Sequence, residues 1–449
     1  MFKIILVSLI IIFSFSTIFA QTDEDNVSKA KAFVGLLAEK DFAAAETFFA
    51  DEVKAKLPAV KLEEVWNSLV AQVGNFKRQT TVKTEKVKDF EIVVIVGEFE
   101  KANLDISLAI DKNGKVGGLF FTPSQTPNQN AETYKVAEYT KPDLFQEKEL
   151  TVGAGEWDLP ATLPIPKGKG KFPAVVLVHG SGANDRDETH LNPANKPFKD
   201  LAWGLASKGI AVLRYEKRTK QYGNKFAADN KFTVKEETID DALLAVELLR
   251  KTEGIDTKKI YVLGHSLGGY LIPRIGERDK QIAGFIVFAG ATQHLEDVFL
   301  EQNTYFAMLD GAISKEEQAG LDNLKQVAAK IKSLKESDLS SSEFYLGAPA
   351  SYYLDLKNYN PPRAAKSLKQ PMLILQGERD YQVTMTDFQN WKNALKDKPN
   401  VTFKSYLLLN HLFMSGEGVP SPADYKKTNH VSAEVINDIN DWILKAKRK

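Results

Sequence analysis

The sequence predicts an α/β protein: a doubly wound, mostly parallel sheet with a helical lid, preceded by a small α+β domain. Three observations carry that reading. From about Phe145 onward, short apolar runs alternate with helical patterns. The runs AVVLV (174–178), IYVL (260–263) and MLIL (372–375) are almost unbroken, as strands covered on both faces must be. Before Phe145 the order is different, with helical spacings first and period-two strand patterns after them.

The elements follow in chain order. Residues Met1 to Ala20 (MFKIILVSLIIIFSFSTIFA) carry one early Lys, a long apolar run and a small residue before Gln21, which reads as a secretory signal peptide. An uncleaved anchor is the alternative, because the run approaches spanning length. A small domain is expected over 25–123. In it Phe33, Leu36, Leu37, Phe42 and Phe48 suit one or two amphipathic helices, and Leu62 to Val73 suits another. Alternating stretches at Val93–Glu100 and Leu104–Pro123 follow, with Lys112, Asn113 and Gly114 as the turn. A polar linker is read over 124–144, and the larger domain over 145–449. Its strands are expected at Glu149–Val152, Ala174–Val178, Ile210–Tyr215, Ile260–Leu263, Ile282–Phe288, Met372–Leu375 and Val401–Leu407. Glu236–Leu249 and Thr386–Leu395 are long enough to be crossover helices. A mostly helical insertion over about 291–369 is the lid.

Composition excludes several classes of function. Lys plus Arg equals Asp plus Glu at 59 each, so the chain lacks the basic footprint of a nucleic-acid binder. There is no cysteine, which removes disulfides, thiolate zinc sites and a thiol nucleophile. No P-loop and no G-x-G-x-x-G follows a strand. No cofactor and no metal ion is expected.

One constellation carries chemistry. IYVL runs into Gly264, His265, Ser266, Leu267, Gly268 and Gly269 and then a helical pattern, which is G-x-S-x-G between strand and helix. A Cβ on either outer glycine would collide with neighbouring backbone in so tight a turn, and the bend lifts the serine hydroxyl off the sheet. A serine nucleophile needs a base, and the base needs a carboxylate to fix its tautomer. Asp380 lies past the strand MLIL and His411 past the final strand, both where open α/β sheets gather their sites. Glu378 competes with Asp380, and His190, His294 and His430 compete with His411. Donors to a reaction oxyanion are expected from the N–H of Leu267 and from the loop His179, Gly180, Ser181, Gly182, where Ser181 is the favoured donor.

Taken together, HGSG, GHSLGG, GERD and NH resemble the α/β-hydrolase superfamily over roughly the last three hundred residues. The nearer likeness is to exported bacterial carboxylesterases of the serine aminopeptidase-like branch, preceded by a nuclear-transport-factor-like domain of unknown function. The resemblance implies hydrolysis of a small-molecule carboxylic ester through Ser266, His411 and Asp380, in the periplasm or outside the cell, without stable membrane insertion once the signal is cut. Peptide or amide hydrolysis and a non-catalytic cell-envelope binding role are the alternatives, and oligomeric state is left open. Relatives continue HGSG with an acidic, arginine-containing segment, matched by Asn184 to Glu188. Where they carry Asp-Lys-Arg-Gly, this chain has Glu216, Lys217, Arg218 and Thr219, read here as a solvated charged loop. Phe344, Tyr345, Tyr352, Tyr353 and Tyr359 either line a pocket or pack the lid.

Overall fold

A computed structural model describes residues 23–87, 89–100, 102–124, 133–190, 192–227, 231–341 and 343–445. The expected signal peptide and most of the polar stretch 124–132 lie outside them. The chain divides into two compact units at 131–132. Among the described residues, no helix is long and apolar enough to cross a membrane.

The first unit begins with helices Asp23–Glu39, Phe42–Glu46, Asp51–Lys56 and Ala59–Val73. The antiparallel meander β1 (Phe76–Val87), β2 (Phe90–Phe99), β3 (Asn103–Ile110) and β4 (Val116–Pro123) follows. Phe33, Trp66, Phe99 and Ile106 are buried between helices and sheet. The expected turn is built by Asp111, whose Oδ1 accepts from the N–H groups of Asn113 and Lys115 at 2.8 Å. β1 escaped the sequence reading for a physical reason. It is a polar edge strand, exposed along most of its length, so it has no apolar face to reveal it.

The second unit holds an eight-stranded sheet in the order β14-β13-β10-β9-β7-β8-β6-β5. The strands are β5 (Phe145–Val152), β6 (Leu159–Pro166), β7 (Phe172–Val178), β8 (Ala211–Tyr215), β9 (Ile255–His265), β10 (Gly284–Phe288), β13 (Met372–Gly377) and β14 (Val401–Tyr406); β11 (Phe344–Tyr345) and β12 (Ala348–Pro349) form a separate hairpin. β7 to β10, β13 and β14 are parallel, while β6 lies antiparallel to both β8 and β5. β6 was not read from sequence because Pro160, Pro164 and Pro166 remove N–H donors, and it meets β8 at only two residue pairs.

Successive side chains of a strand point to opposite faces, and β9 shows what that does here. Val262 joins a core with helices Asp240–Lys251, Leu267–Arg278 and Met385–Leu395, whereas Tyr261 and Leu263 join one with Pro197–Ala206 and Ala433–Lys445. Both faces of the sheet are therefore covered, which is why its strands read as continuous apolar runs. Between β10 and β13 the insertion folds into helices Leu295–Ala307, Lys315–Ser333, Ala350–Leu356 and Pro361–Ala365. Tyr345, Tyr352 and Tyr353 are buried in its packing against the sheet domain. The strand order reverses between β7 and β9, and the crevice outside their carboxyl ends is where such a sheet binds ligands.

Candidate active site

Ser266 stands between β9 and the helix Leu267–Arg278 with φ 52° and ψ −113°, a conformation that L-residues avoid. The surroundings enforce it. A Cβ at Gly264 would lie 2.3 Å from the Gly268 carbonyl oxygen, and one at Gly268 would lie 2.4 Å from that of Val178, so only glycine fits at either place. The N–H of Ser266 donates to the Phe288 carbonyl at 2.9 Å. Its hydroxyl has no hydrogen-bond partner among the described residues and is half-buried.

Asp380 and His411 meet. His411 Nδ1 lies 2.6 Å from Asp380 Oδ2, and each residue is 5% exposed. The carboxylate is held on all sides: Oδ1 accepts from the N–H groups of Gln382 and Val383 at 2.8 and 2.9 Å, and Oδ2 accepts from Gln376 Nε2 at 3.0 Å. Glu378 points elsewhere, its Oε1 accepting from the Ser405 hydroxyl at 2.7 Å. Of the competing histidines, His430 pairs with Asp200 at 3.0 Å and His294 stands at the N-cap position of the helix Leu295–Ala307 without a capping bond from its side chain. His190 sets its ring edge-on to Tyr425, with 4.7 Å between centroids, and burial above all pushes its pKa down to about 4.

The loop after β7 lies against the serine. A Cβ placed on Gly180 would be 3.1 Å from Ser266 Cβ. His179 is buried behind it, with Nε2 3.0 Å from the Asp185 carbonyl, and burial pushes the ring down to about 4. The N–H groups of Ser181 and Leu267 have no partner among the described residues, which leaves two backbone donors beside Ser266.

Glu188, which the sequence reading left without a role of its own, completes the arrangement together with His265 of the serine turn. His265 Nδ1 lies 2.9 Å from Glu188 Oε2, and its Nε2 donates to the His411 carbonyl at 3.0 Å. Glu188 Oε1 accepts from the Gly180 N–H at 2.8 Å. One ion pair thus ties the serine turn, the histidine loop and the loop after β7 together. The sequence reading of 216–219 as solvated is corrected. Lys217 and Arg218 are buried, Arg218 pairs with Asp241 and Glu216 pairs with Arg186, because those loops fold over the carboxyl ends of the strands rather than into water.

Two family models match: Protein of unknown function (DUF3887) over residues 30–119 and the Prolyl oligopeptidase family over residues 199–327. Esterase EstD of Thermotoga maritima is 40% identical over 417 residues, covering 93% of this chain and 95% of that one. The chain belongs to the EstD family. Similar solved structures include Est1E from Butyrivibrio proteoclasticus (TM-score 0.42, 16% identity, 66% of this chain and 98% of that one) and an acylaminoacyl peptidase from Pyrococcus horikoshii (TM-score 0.45, 14% identity, 83% and 57%).

In this EstD-family protein the His265–Glu188 pair makes a prediction about pH. Burial opposes charging of the His265 ring, but Glu188, the His411 carbonyl and Asp380 outweigh it and raise its pKa above the ordinary 6.5. Burial likewise opposes ionisation of Glu188, yet His265, His179 and the Gly180 N–H hold it below 4.5. A raised histidine stabilises the fold fully below its unfolded pKa and loses that contribution as pH rises through the folded value; a lowered carboxylate does so above its unfolded pKa and loses it as pH falls. The pair is therefore at full strength between 4.5 and 6.5. Thermal melts across pH are expected to show the wild type's advantage over Glu188→Gln greatest in that window and shrinking on both sides. A gap that held its size as pH rose past that window would mean that His265 is neutral.

Proposed function

We propose that this protein hydrolyses small carboxylic esters outside the cytoplasm, with Ser266 as nucleophile, His411 as base and Asp380 as its orienting acid. The reading rests above all on the 2.6 Å contact between His411 Nδ1 and Asp380. That contact leaves Nε2 as the ring nitrogen available to a serine proton. The name of the 40% identical relative, an esterase, points to the same reaction. The placement outside the cytoplasm rests on the Met1–Ala20 run.

The steps follow from these positions. Ser266 Oγ attacks the ester carbonyl carbon while its proton passes to His411 Nε2, and the new oxyanion accepts from the N–H groups of Ser181 and Leu267. Collapse of the adduct breaks the bond to the alkoxy oxygen, which leaves as alcohol with the proton from His411. Water then gives a proton to His411 and attacks the acyl-Ser266 carbonyl, and a second collapse releases the acid and returns the proton to Ser266. Hydrolysis of amides by the same groups is a second reading, favoured by the Prolyl oligopeptidase match over 199–327.

Side-by-side assays decide between them. Aryl acetates and butyrates are expected to turn over far faster than aminoacyl-anilides, and a fluorophosphonate is expected to label Ser266 with loss of fluoride. Faster anilide hydrolysis would establish the amide reading, and a chain that neither labels nor turns over would be a binding protein.

A further inference from the structure

Lys217 has no part in the proposed chemistry, yet it is 2% exposed and its ammonium reaches the loop beside Ser266. Nζ donates to the Gly180 carbonyl at 2.8 Å and pairs with Glu237 Oε1 at 2.7 Å. Glu237 is buried as well, and its Oε2 accepts from the hydroxyl of Tyr352, on the helix Ala350–Leu356 of the insertion, at 2.7 Å. A hydrogen-bonded line therefore runs from the insertion through Glu237 and Lys217 to the peptide between Gly180 and Ser181.

We infer that Lys217 is a positioning residue for the oxyanion site: by holding the Gly180 carbonyl it aims the Ser181 N–H at the developing charge, and Tyr352 fixes it there through Glu237. The inference rests on the reading of Ser266 as nucleophile and of Ser181 as a donor. Its physical core is the planarity of the peptide group. The Gly180 carbonyl and the Ser181 N–H belong to one trans unit and point in opposite directions, so an anchor on the oxygen sets the direction of the hydrogen. The anchor is needed because glycine at 180 lets that peptide rotate at little steric cost. A cation on the oxygen also draws electron density from the N–H and makes it a better donor. The other side of Gly180 is fixed independently, through its own N–H to Glu188, and its carbonyl takes a second, longer bond from Asn184 Nδ2 at 3.2 Å, so that Lys217 is the charged and closer of the two anchors on the peptide that faces the oxyanion.

Replacing Lys217 alone would strand the Glu237 carboxylate in the interior, so the decisive variant removes both charges, Lys217→Met with Glu237→Gln. Four readouts on the full chain are needed: melting temperature, kcat and KM on an aryl butyrate, the inhibition constant of a trifluoromethyl ketone, and fluorophosphonate labelling of the wild type. The ketone forms an oxyanion with the serine and so reports the site directly. The expected result is a drop in kcat of about tenfold or more, short of the roughly 10²–10³-fold that loss of an entire oxyanion donor costs. The ketone should weaken by the same factor while KM holds, and Tyr352→Phe should move the same two quantities less. A folded double variant with wild-type kcat and ketone affinity would overturn the role of Lys217 while labelled wild type kept Ser266 in place. Parallel loss in KM and kcat with no selective loss of the ketone would overturn it too, in favour of a purely structural ion pair. Wild type that resists labelling would bring down both readings together.

Discussion

Ser266→Ala is expected to lower kcat on aryl esters by on the order of 10⁴- to 10⁶-fold with the fold intact. The magnitude follows from what remains. Without Oγ no acyl-enzyme forms, and His411 is left to activate a water with no fixed position, while the N–H groups of Ser181 and Leu267, unpartnered among the described residues, still offer stabilisation to an oxyanion. Some hydrolysis above the uncatalysed rate is thus expected to persist. The fold should not suffer, because the hydroxyl makes no hydrogen bond to any described residue and its removal strands no partner. The strain at φ 52° is carried by the backbone turn and its glycines, which alanine leaves as they are. Steady-state rates together with a melting curve check both halves. Retained turnover would remove Ser266 from the mechanism, and a collapsed melting temperature would show that its hydroxyl has a partner in the fold.

What could be read from the chain beforehand depended on how local each cause is. The parallel strands were legible because burial on two faces leaves an unbroken apolar run, and the turn around Ser266 because its glycines sit at fixed offsets from a strand end. That Asp380 and His411 lie together was legible for a similar reason: each follows a strand whose carboxyl end opens on the crevice. β1 and β6 were not, since one is a polar edge and the other is interrupted by prolines, and in both cases neighbouring strands supply what the local pattern lacks. Glu188 and Lys217 were harder still. Each is a charge within a run of charges, and only the folding of the Asn184–Glu188 and Glu216–Thr219 loops over the strand ends turns them from solvated groups into buried ones. A buried ion pair is a relation between distant segments, here 23 residues apart for Arg218 and Asp241, and periodicity carries no trace of it. The same holds for the aromatics of the insertion, where Tyr352 is committed to Glu237 and the Tyr359 hydroxyl to the Tyr270 carbonyl.

Asp380→Asn is expected to cost about 10⁴-fold in kcat, because it puts the proton of His411 on the wrong nitrogen. The surroundings of the carboxylate dictate how the amide would sit. The Oδ1 position receives two backbone N–H groups, from Gln382 and Val383, so the amide oxygen must take that place and its NH₂ must take the Oδ2 place. From there the NH₂ faces His411 Nδ1 as a donor. The imidazole answers by presenting a lone pair at Nδ1 and carrying its hydrogen on Nε2, where it can no longer accept the serine proton. Gln376, which donates to Oδ2 in the native protein, must turn its own amide to avoid facing a second donor. The substitution is nearly isosteric, so the loss should appear in kcat with little change in KM. Glu378→Gln is the matched control: that carboxylate is engaged with Ser405, and its neutralisation should leave the rate where it was. If the control lost activity and Asp380→Asn kept it, the orienting acid would be Glu378, and the loop after β13 would have to rearrange when substrate binds.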